Sequence, residues 1–442
     1  AVKKSALTLQ RENLLGMKLF AQASKIPVDS AQSQFLILHT FQNDGYISYN
    51  DGPCLILNGQ LNIESLTYAL KQVCVKHDAL RTLFLDEKFI SVQNDPQLKI
   101  EYIDISNSPN ELEARLLSSR SVSLDVKKGP VLKATILKLK PEKFVLSMIA
   151  NHILVDGISW DIILKDLIQS YNSPKSFTPG TGLQDYLRKE KNDQNKNINW
   201  WKNQLVELEK TTLNLKTDFQ RPKVRSFRGA KILVELEPEM IEQISAYCKN
   251  MDLTITMFFF SVYALILKDQ TSQNDFVIGV SGSGRGLDEY HVVGPFASVL
   301  PIRIHLEPGE SNYDLLQKVR KTLSGAYDHQ DIKFADLLGQ IKFPRINNRS
   351  PLVETGINID HVSLKSSFEG MSLEAYSAPI SFSSYDLFLN ISLGDKNYIE
   401  CSFSTDLFKP ETIEKLLSQF ILLSQAFLGP QISSDKTAEI IA

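Results

Sequence analysis

A chain of 442 residues is too long for one ordinary hydrophobic core, so two domains are the first expectation. With 43% hydrophobic and 22% charged residues, its composition is that of a folded globular protein and excludes disorder. A formal net charge of -3 and a sequence pI of about 6.2 exclude a phosphate backbone as the main partner, so no nucleic acid is expected.

In chain order, Leu66, Leu70 and Val73 recur at helical spacing from Ile63, with His77 on the same face, and a strand carrying Leu80 and Phe84 is predicted next. Two β-rich runs, Val131 to Leu139 and Phe144 to Ala150, flank Lys140-Pro141-Glu142-Lys143, which suits a hairpin turn. The second run leads straight into Asn151-His152-Ile153-Leu154-Val155-Asp156-Gly157. Beyond it, Ile158, Ile162, Ile163 and Leu167 mark the stripe of a helix ending near Tyr171. Breakers gather at Asn172-Ser173-Pro174 and Thr178-Pro179-Gly180-Thr181-Gly182, which divides the chain into lobes at 1–176 and 177–442.

Lys189, Lys191 and Lys196, interrupted by asparagine and acids, read as a solvated connector. The second half alternates again: a helix from Pro238 to Lys249, a strand from Phe276 to Val280, a hairpin across Gly394-Asp395-Lys396-Asn397 and a helix from Pro410 to Leu428. Proline suits the first position of both helices. The apolar run from Ile255 to Leu267 is shorter than the ~20 residues that cross a bilayer and reads as a core helix, so no membrane is expected. Cys54, Cys74, Cys248 and Cys401 show no C-x-x-C spacing and read as buried thiols of a reducing cytoplasm. A start at Ala1 reads as a piece excised from a longer polypeptide, expected to be monomeric in that form.

Several chemistries are disfavoured by spacing. Gly282-Ser283-Gly284-Arg285-Gly286 has the wrong glycine interval for a dinucleotide loop and reads as a flexible loop, and Gly279 to Ser283 misses the nucleophile elbow at its last position. No window pairs histidines as a zinc helix requires, so no metal and no bound cofactor are expected. What remains is His152 at a strand end, followed by Asp156 and Gly157 at the mouth of a helix. Imidazole there can accept a proton or hold a nucleophile in place. Gly157 is expected to remove steric bulk beside it. Asp156 is expected to form a structural ion pair that fixes the loop.

At these residues the chain resembles the condensation domains of nonribosomal peptide synthetases. Asn151 to Gly157 is similar to H-H-x-x-x-D-G with the first histidine replaced. Ser30-Ala31-Gln32 resembles S-x-A-Q, Lys76 to Phe84 resembles R-H-E-x-L-R-T-x-F, and Trp200 to Leu205 resembles Y-W-K-x-Q-L. Val293-Gly294-Pro295-Phe296 resembles I-G-x-F, His329 to Phe334 resembles H-Q-D-x-P-F, and Arg345 to Leu352 is a degraded R-D-x-S-R-N-P-L. Asp156-Gly157-Ile158-Ser159-Trp160 is also similar to a stretch of epimerisation relatives, and heterocyclisation relatives carry aspartates at the equivalents of 151 and 156; the retained His152 and Gly157 argue against the latter.

The resemblance implies an α/β fold of two chloramphenicol acetyltransferase-like lobes set in a V around a tunnel. Donor and acceptor carrier proteins of a megasynthase, with peptide or polyketide neighbours, would present thioesters on phosphopantetheine arms from opposite faces, and an amide would form. By transfer, His152 is the functional histidine, Asp156 and Gly157 shape its loop, and Arg81 and Arg285 are the candidate partners of Asp156. Ser159, Trp160, Phe296 and Ser298 are candidates for the tunnel lining. Asn151 cannot titrate, so any protonic role of the first position is lost. Ester formation or chain release with another acceptor, and carrier docking without chemistry, are the alternative activities.

Overall fold

The computed structural model describes residues 25–28, 32, 35–36, 47–174, 177, 180, 182–188, 195–208, 212–362, 366–429 and 439–440. Ser30, Ala31, Lys189 and Lys191 lie outside these residues, as does the side chain of Lys196. The first half runs through β1 (Ile26–Pro27), β2 (Asn50–Asp51), β3 (Cys54–Asn58), α1 (Ile63–Lys76), β4 (Thr82–Phe84), β5 (Phe89–Val92), β6 (Leu98–Asp104), α2 (Leu112–Arg120), β7 (Leu132–Lys140), β8 (Lys143–Asn151), α3 (Gly157–Asn172) and α4 (Gly182–Arg188). The second half runs through α5 (Asn195–Gln204), β9 (Gly229–Glu235), α6 (Pro238–Asn250), α7 (Ile255–Thr271), β10 (Asp275–Gly282), β11 (Ser298–His305), α8 (Asn312–Asp328), α9 (Phe334–Gln340), β12 (Thr355–Val362), β13 (Ser372–Ala375), β14 (Leu387–Gly394), β15 (Tyr398–Ser404) and α10 (Pro410–Phe427).

Each half builds its own sheet. The first has the order β13-β3-β8-β7-β6, and β2 pairs with the end of β8. The second has the order β11-β10-β12-β14-β15-β9. Side chains alternate across β8, so Phe144, Leu146, Met148 and Ala150 enter one core with helices α1 and α3, while Val145 enters a smaller core on the opposite face with Leu116. The second lobe is centred on α7, whose residues Met257 through Leu267 are all buried. A helix apolar all round belongs at a core centre, and α8 and α10 pack beside it. Among the described residues, no single helix is long and apolar enough to cross a membrane.

Two features differ from the sequence reading. Leu80 belongs to a 3-10 turn over Asp78–Arg81, and the strand begins only at Thr82. The first core extends past 176: Leu183 of α4 is buried in it, and the Asp78 carboxylate accepts the N–H groups of Leu183 (3.0 Å) and Gln184 (2.9 Å). Those are two of the orphan donors at a helix start, so α4 is fastened to the first lobe by a cap from a distant turn. The chain also crosses back. Strand β13 joins the first sheet antiparallel to β3, and Phe368 and Met371 just before it enter the first core.

All four cysteines are buried and free. Burial pushes the Cys54 thiol up to about 11 and the Cys74 thiol up to about 12, so neither is a ready nucleophile.

Candidate functional site

The site is built where β8 ends. Asn151 pairs with Asn50 of β2, its carbonyl accepts the Leu154 N–H at 2.9 Å, and its fully buried side chain accepts the Ile153 N–H through Oδ1 at 3.1 Å. This is an Asx turn, and it bends the chain sharply at His152. Asparagine at this position therefore serves the backbone.

His152 donates its backbone N–H to Tyr49 O at 2.8 Å, and its ring stacks on Phe35 with centroids 5.6 Å apart. Phe35 in turn meets Tyr49 edge-on at 5.2 Å. The imidazole is half-buried; its Nδ1 is sealed from water and has no hydrogen-bond partner among the described residues. Turn, strand and two aromatic rings thus fix the side chain, and Nε2 is the nitrogen left to meet a ligand. Phe35 and Tyr49 escaped the sequence reading. Phe35 lies three residues after Gln32 of the opening motif, and Tyr49 carries no motif at all.

Asp156 caps α3 and joins the lobes. Its Oδ1 accepts the Ser159 N–H (2.8 Å), the Ser159 hydroxyl (2.7 Å) and Arg285 Nη2 (2.8 Å), while Oδ2 accepts the N–H groups of Phe296 and Ala297, both at 3.1 Å. Side-chain exposure is 1% for Asp156 and 0% for Arg285, so the pair is fully desolvated. Arg285 also donates through Nη1 to the carbonyls of Glu289 (2.7 Å) and Val292 (2.6 Å), and its guanidinium lies 4.1 Å from the centre of the Phe296 ring. Ser159 Oγ lies 3.0 Å from Gly294 N, which donates to it, and 2.9 Å from Gly294 O. Every member of this network has partners from the opposite lobe, which is what makes a buried ion pair tolerable.

Several expectations are corrected here. Arg285, and not Arg81, is the partner of Asp156: Arg81 stays within the first lobe and donates to the carbonyls of Cys74 and Gln93. The loop from Gly282 to Gly286 is held by these bonds. Gly284 has φ +57°, and a Cβ there would come within 2.1 Å of Phe296 O, so glycine is needed for Arg285 to turn inward. Gly157 relieves no clash, because a Cβ added there meets nothing within 4 Å.

Ser159 and Phe296 are enclosed by protein and Trp160 is 5% exposed, so these three stand behind the wall; Ser298 alone of the four is half-exposed. Phe296 is wedged between Arg285 and Tyr186, whose ring centroid is 4.5 Å away. Two further motifs meet elsewhere, where Trp200 stacks on His329 at 4.5 Å and Trp201 Nε1 donates to the His329 carbonyl at 3.0 Å.

One turn past Asp156, Asp161 is open to water, and so is Asp360 on β12 of the other lobe. Surrounding protein raises the Asp161 carboxyl above its ordinary value, with the charges of Asp360 and Asp156 adding to the effect. Desolvation also raises Asp360, with Asp51 adding and a hydrogen bond from Asn358 (2.8 Å) opposing. The negative charge of Asp360, on the second lobe, thus opposes ionisation of Asp161 on the first.

A sequence profile of the condensation-domain family matches residues 22–437. Among curated relatives, bacitracin synthase 3 of Bacillus licheniformis is 27% identical over 407 residues, covering 89% of this chain and 6% of that protein. Tyrocidine synthase 3 of Brevibacillus parabrevis is 26% identical over 419 residues, covering 89% of this chain and 6% of that protein. The chain is thus the length of a small part of these synthases. Among solved structures, a four-domain nonribosomal peptide synthetase bound to AMP and glycine superposes with a TM-score of 0.82 at 16% identity, over 93% of this chain and 33% of that one. The starter condensation domain of rhizomide synthetase, in complex with C8-CoA, gives 0.81 at 18% identity, over 95% and 99%. The X-domain from teicoplanin biosynthesis gives 0.77 at 19% identity, over 93% and 97%. These likenesses establish the fold, the chloramphenicol acetyltransferase-like arrangement of two α/β lobes.

Arg285→Ala strands a buried carboxylate and should lower unfolding free energy in urea by about 3–5 kcal/mol, and Arg285→Lys should recover little because one ammonium cannot reach Asp156 and both carbonyls. Gly157→Ala, with open space at Cβ at the first position of α3, should raise stability by about 0.4–1 kcal/mol in the same assay. Asp360→Asn should raise the melting temperature at about pH 7 and leave it unchanged at about pH 3. An acid whose folded pKa is raised opposes folding only once it ionises, so the gain must vanish below the ordinary carboxylate range.

Proposed function

Because this chain belongs to the condensation-domain family, we propose that it transfers an acyl group from a donor carrier-protein thioester to the amine of an acceptor carrier-bound aminoacyl group. In that reaction the amine nitrogen attacks the thioester carbonyl, the C–N bond forms, the C–S bond breaks, and the thiol of the donor's phosphopantetheine arm leaves with the proton the amine gives up. His152 is the catalytic residue of this reading, and the observation that carries it is its geometry: a half-buried imidazole on a rigid turn, with Nδ1 sealed and Nε2 left for a ligand.

The same observation bears on how His152 acts. Held by the turn and the Phe35 stack with Nε2 left for the substrate, His152 serves by aligning the amine lone pair with the thioester, a positioning effect. Asp156 and Arg285 act through the wall that carries His152. Two carrier proteins, each with a phosphopantetheine arm, and neighbouring domains of a megasynthase are the partners this reading requires, and no resident cofactor is part of it.

Carrier docking without chemistry is the second reading, favoured by Asn151 in place of the family's first histidine and by the likeness to the teicoplanin X-domain. The Asx turn weakens it, since Asn151 supports the His152 loop without needing to titrate.

Intact-mass analysis of loaded carrier pairs should detect the amide product with wild type, and His152→Ala should reduce its rate by about 10²–10⁴-fold with an unchanged melting temperature. Equal rates in the two proteins would remove His152 from the chemistry, and no turnover with any loaded pair would favour docking.

A further inference from the structure

The backbone of His152 is fixed by its neighbours, and the plane of its ring by an aromatic face. Its N–H donates to Tyr49 O at 2.8 Å, and the Asn151 side chain holds the following peptide through the Ile153 N–H at 3.1 Å. Neither bond stops the imidazole turning about χ2, a broad torsion with shallow wells. Its face, however, lies against Phe35, with centroids 5.6 Å apart and planes 17° from parallel. Hydrogen bonds at a ring nitrogen form in the plane of the imidazole, so the contact that sets the plane sets the direction in which Nε2 can act.

Phe35 has the support such a role needs. Gln32, Phe35 and Leu36 are helical, Gln32 and Leu36 are buried, and Leu36 belongs to the first core, against which Phe35 itself packs. Their spacing of three and four residues puts all three on one side of the helix. Tyr49 meets the Phe35 ring edge-on, with centroids 5.2 Å apart and planes at 80°. Offset-parallel and edge-to-face are the two favoured arrangements of aromatic rings. Tyr49 thus holds the His152 backbone through its carbonyl and backs the ring that stacks on the imidazole, which closes a triangle of contacts.

We propose that Phe35 is a positioning residue for acyl transfer: its ring holds the plane of the His152 imidazole, and with it the direction in which Nε2 meets the attacking amine. This rests on the acyl-transfer reading of His152 and deepens it. Phe35 touches neither thioester nor amine in this role and acts only through the histidine. Aromatic pairs of this geometry favour their arrangement by about two- to tenfold, which sets the size of the effect to be read. Loss of the stack leaves the histidine in place with its ring plane free to tilt, so the step that needs an aligned amine suffers while carrier binding does not.

Phe35→Leu keeps an apolar side chain and removes the flat face. With loaded carriers and below the melting transition, it should lower kcat by about two- to tenfold and leave KM nearly unchanged, and Phe35→Tyr should recover most of the loss. In the His152→Ala background the same substitution should leave the residual rate where it was, because the ring through which Phe35 acts is gone. A proton NMR measurement needs no turnover: the carbon-bound ring protons of His152, identified by their absence from His152→Ala, should shift when Phe35→Leu removes the ring current and hold their places in Phe35→Tyr. Equal kcat in wild type and Phe35→Leu would overturn the proposal, as would His152 protons that ignore Phe35→Leu. An equal loss in the wild-type and His152→Ala backgrounds would overturn it too, and make Phe35 a packing residue of the wall. Should Phe35→Leu unfold at the assay temperature, Phe35→Met takes its place in all three measurements. Equal rates in wild type and His152→Ala would instead overturn the role of His152 itself, and the proposal with it, whatever the Phe35 variants do.

Discussion

The buried pair between Asp156 and Arg285 is the interaction on which the site depends. Each lobe has its own sheet and core, and Val293, from the second half of the chain, reaches into the first core beside the gap where α3 begins. A carboxylate with five hydrogen-bond donors, one of them a guanidinium from the opposite lobe, closes that gap. Its two oxygens do separate jobs, Oδ1 capping the helix and taking the arginine while Oδ2 holds the backbone of the loop leading to β11. Bonds of this kind do not slide, so the first turn of α3 has one position relative to the second lobe. The turn bearing His152 lies immediately before it.

Stability and function are coupled through geometry here. Hydrophobic cores set each lobe's fold, but a cleft between two cores has to be spaced by something else. The crossover strand β13 supplies backbone pairing at one place, the Ser121–Ser381 hydroxyl contact (2.6 Å) another, and the buried ion pair a third. Against these, Asp360 of the second lobe opposes ionisation of Asp161 on the first.

Much of the fold was legible because local signals agreed with tertiary need. Proline at the first position marked α6 and α10, and the alternating β7–β8 hairpin and the wholly apolar α7 follow directly from side-chain period. Misreadings arose where long-range contacts decide. The breakers from 172 to 182 read as the boundary between lobes, but Leu183 and the Asp78 cap assign the next helix to the first lobe. Strand β13 is four residues, Ser-Leu-Glu-Ala, with no propensity to announce it. At the site, the chain itself singled out His152 and Asp156. It could not choose between Arg81 and Arg285, because the choice is made by a glycine-enabled loop folding in from 129 residues away. Asn151 looked like a loss of titratable chemistry and is a backbone cap.

The central claim is that a contact between lobes, touching no substrate, sets the position of the His152 wall. A double-mutant cycle of Asp156→Ala, Arg285→Ala and the double variant tests it, read both as unfolding free energy and as the rate of amide formation between loaded carriers. Strong non-additivity is expected in both readouts, with a coupling above about 1 kcal/mol and a double variant hardly slower than either single one. Additive effects in either readout would contradict it.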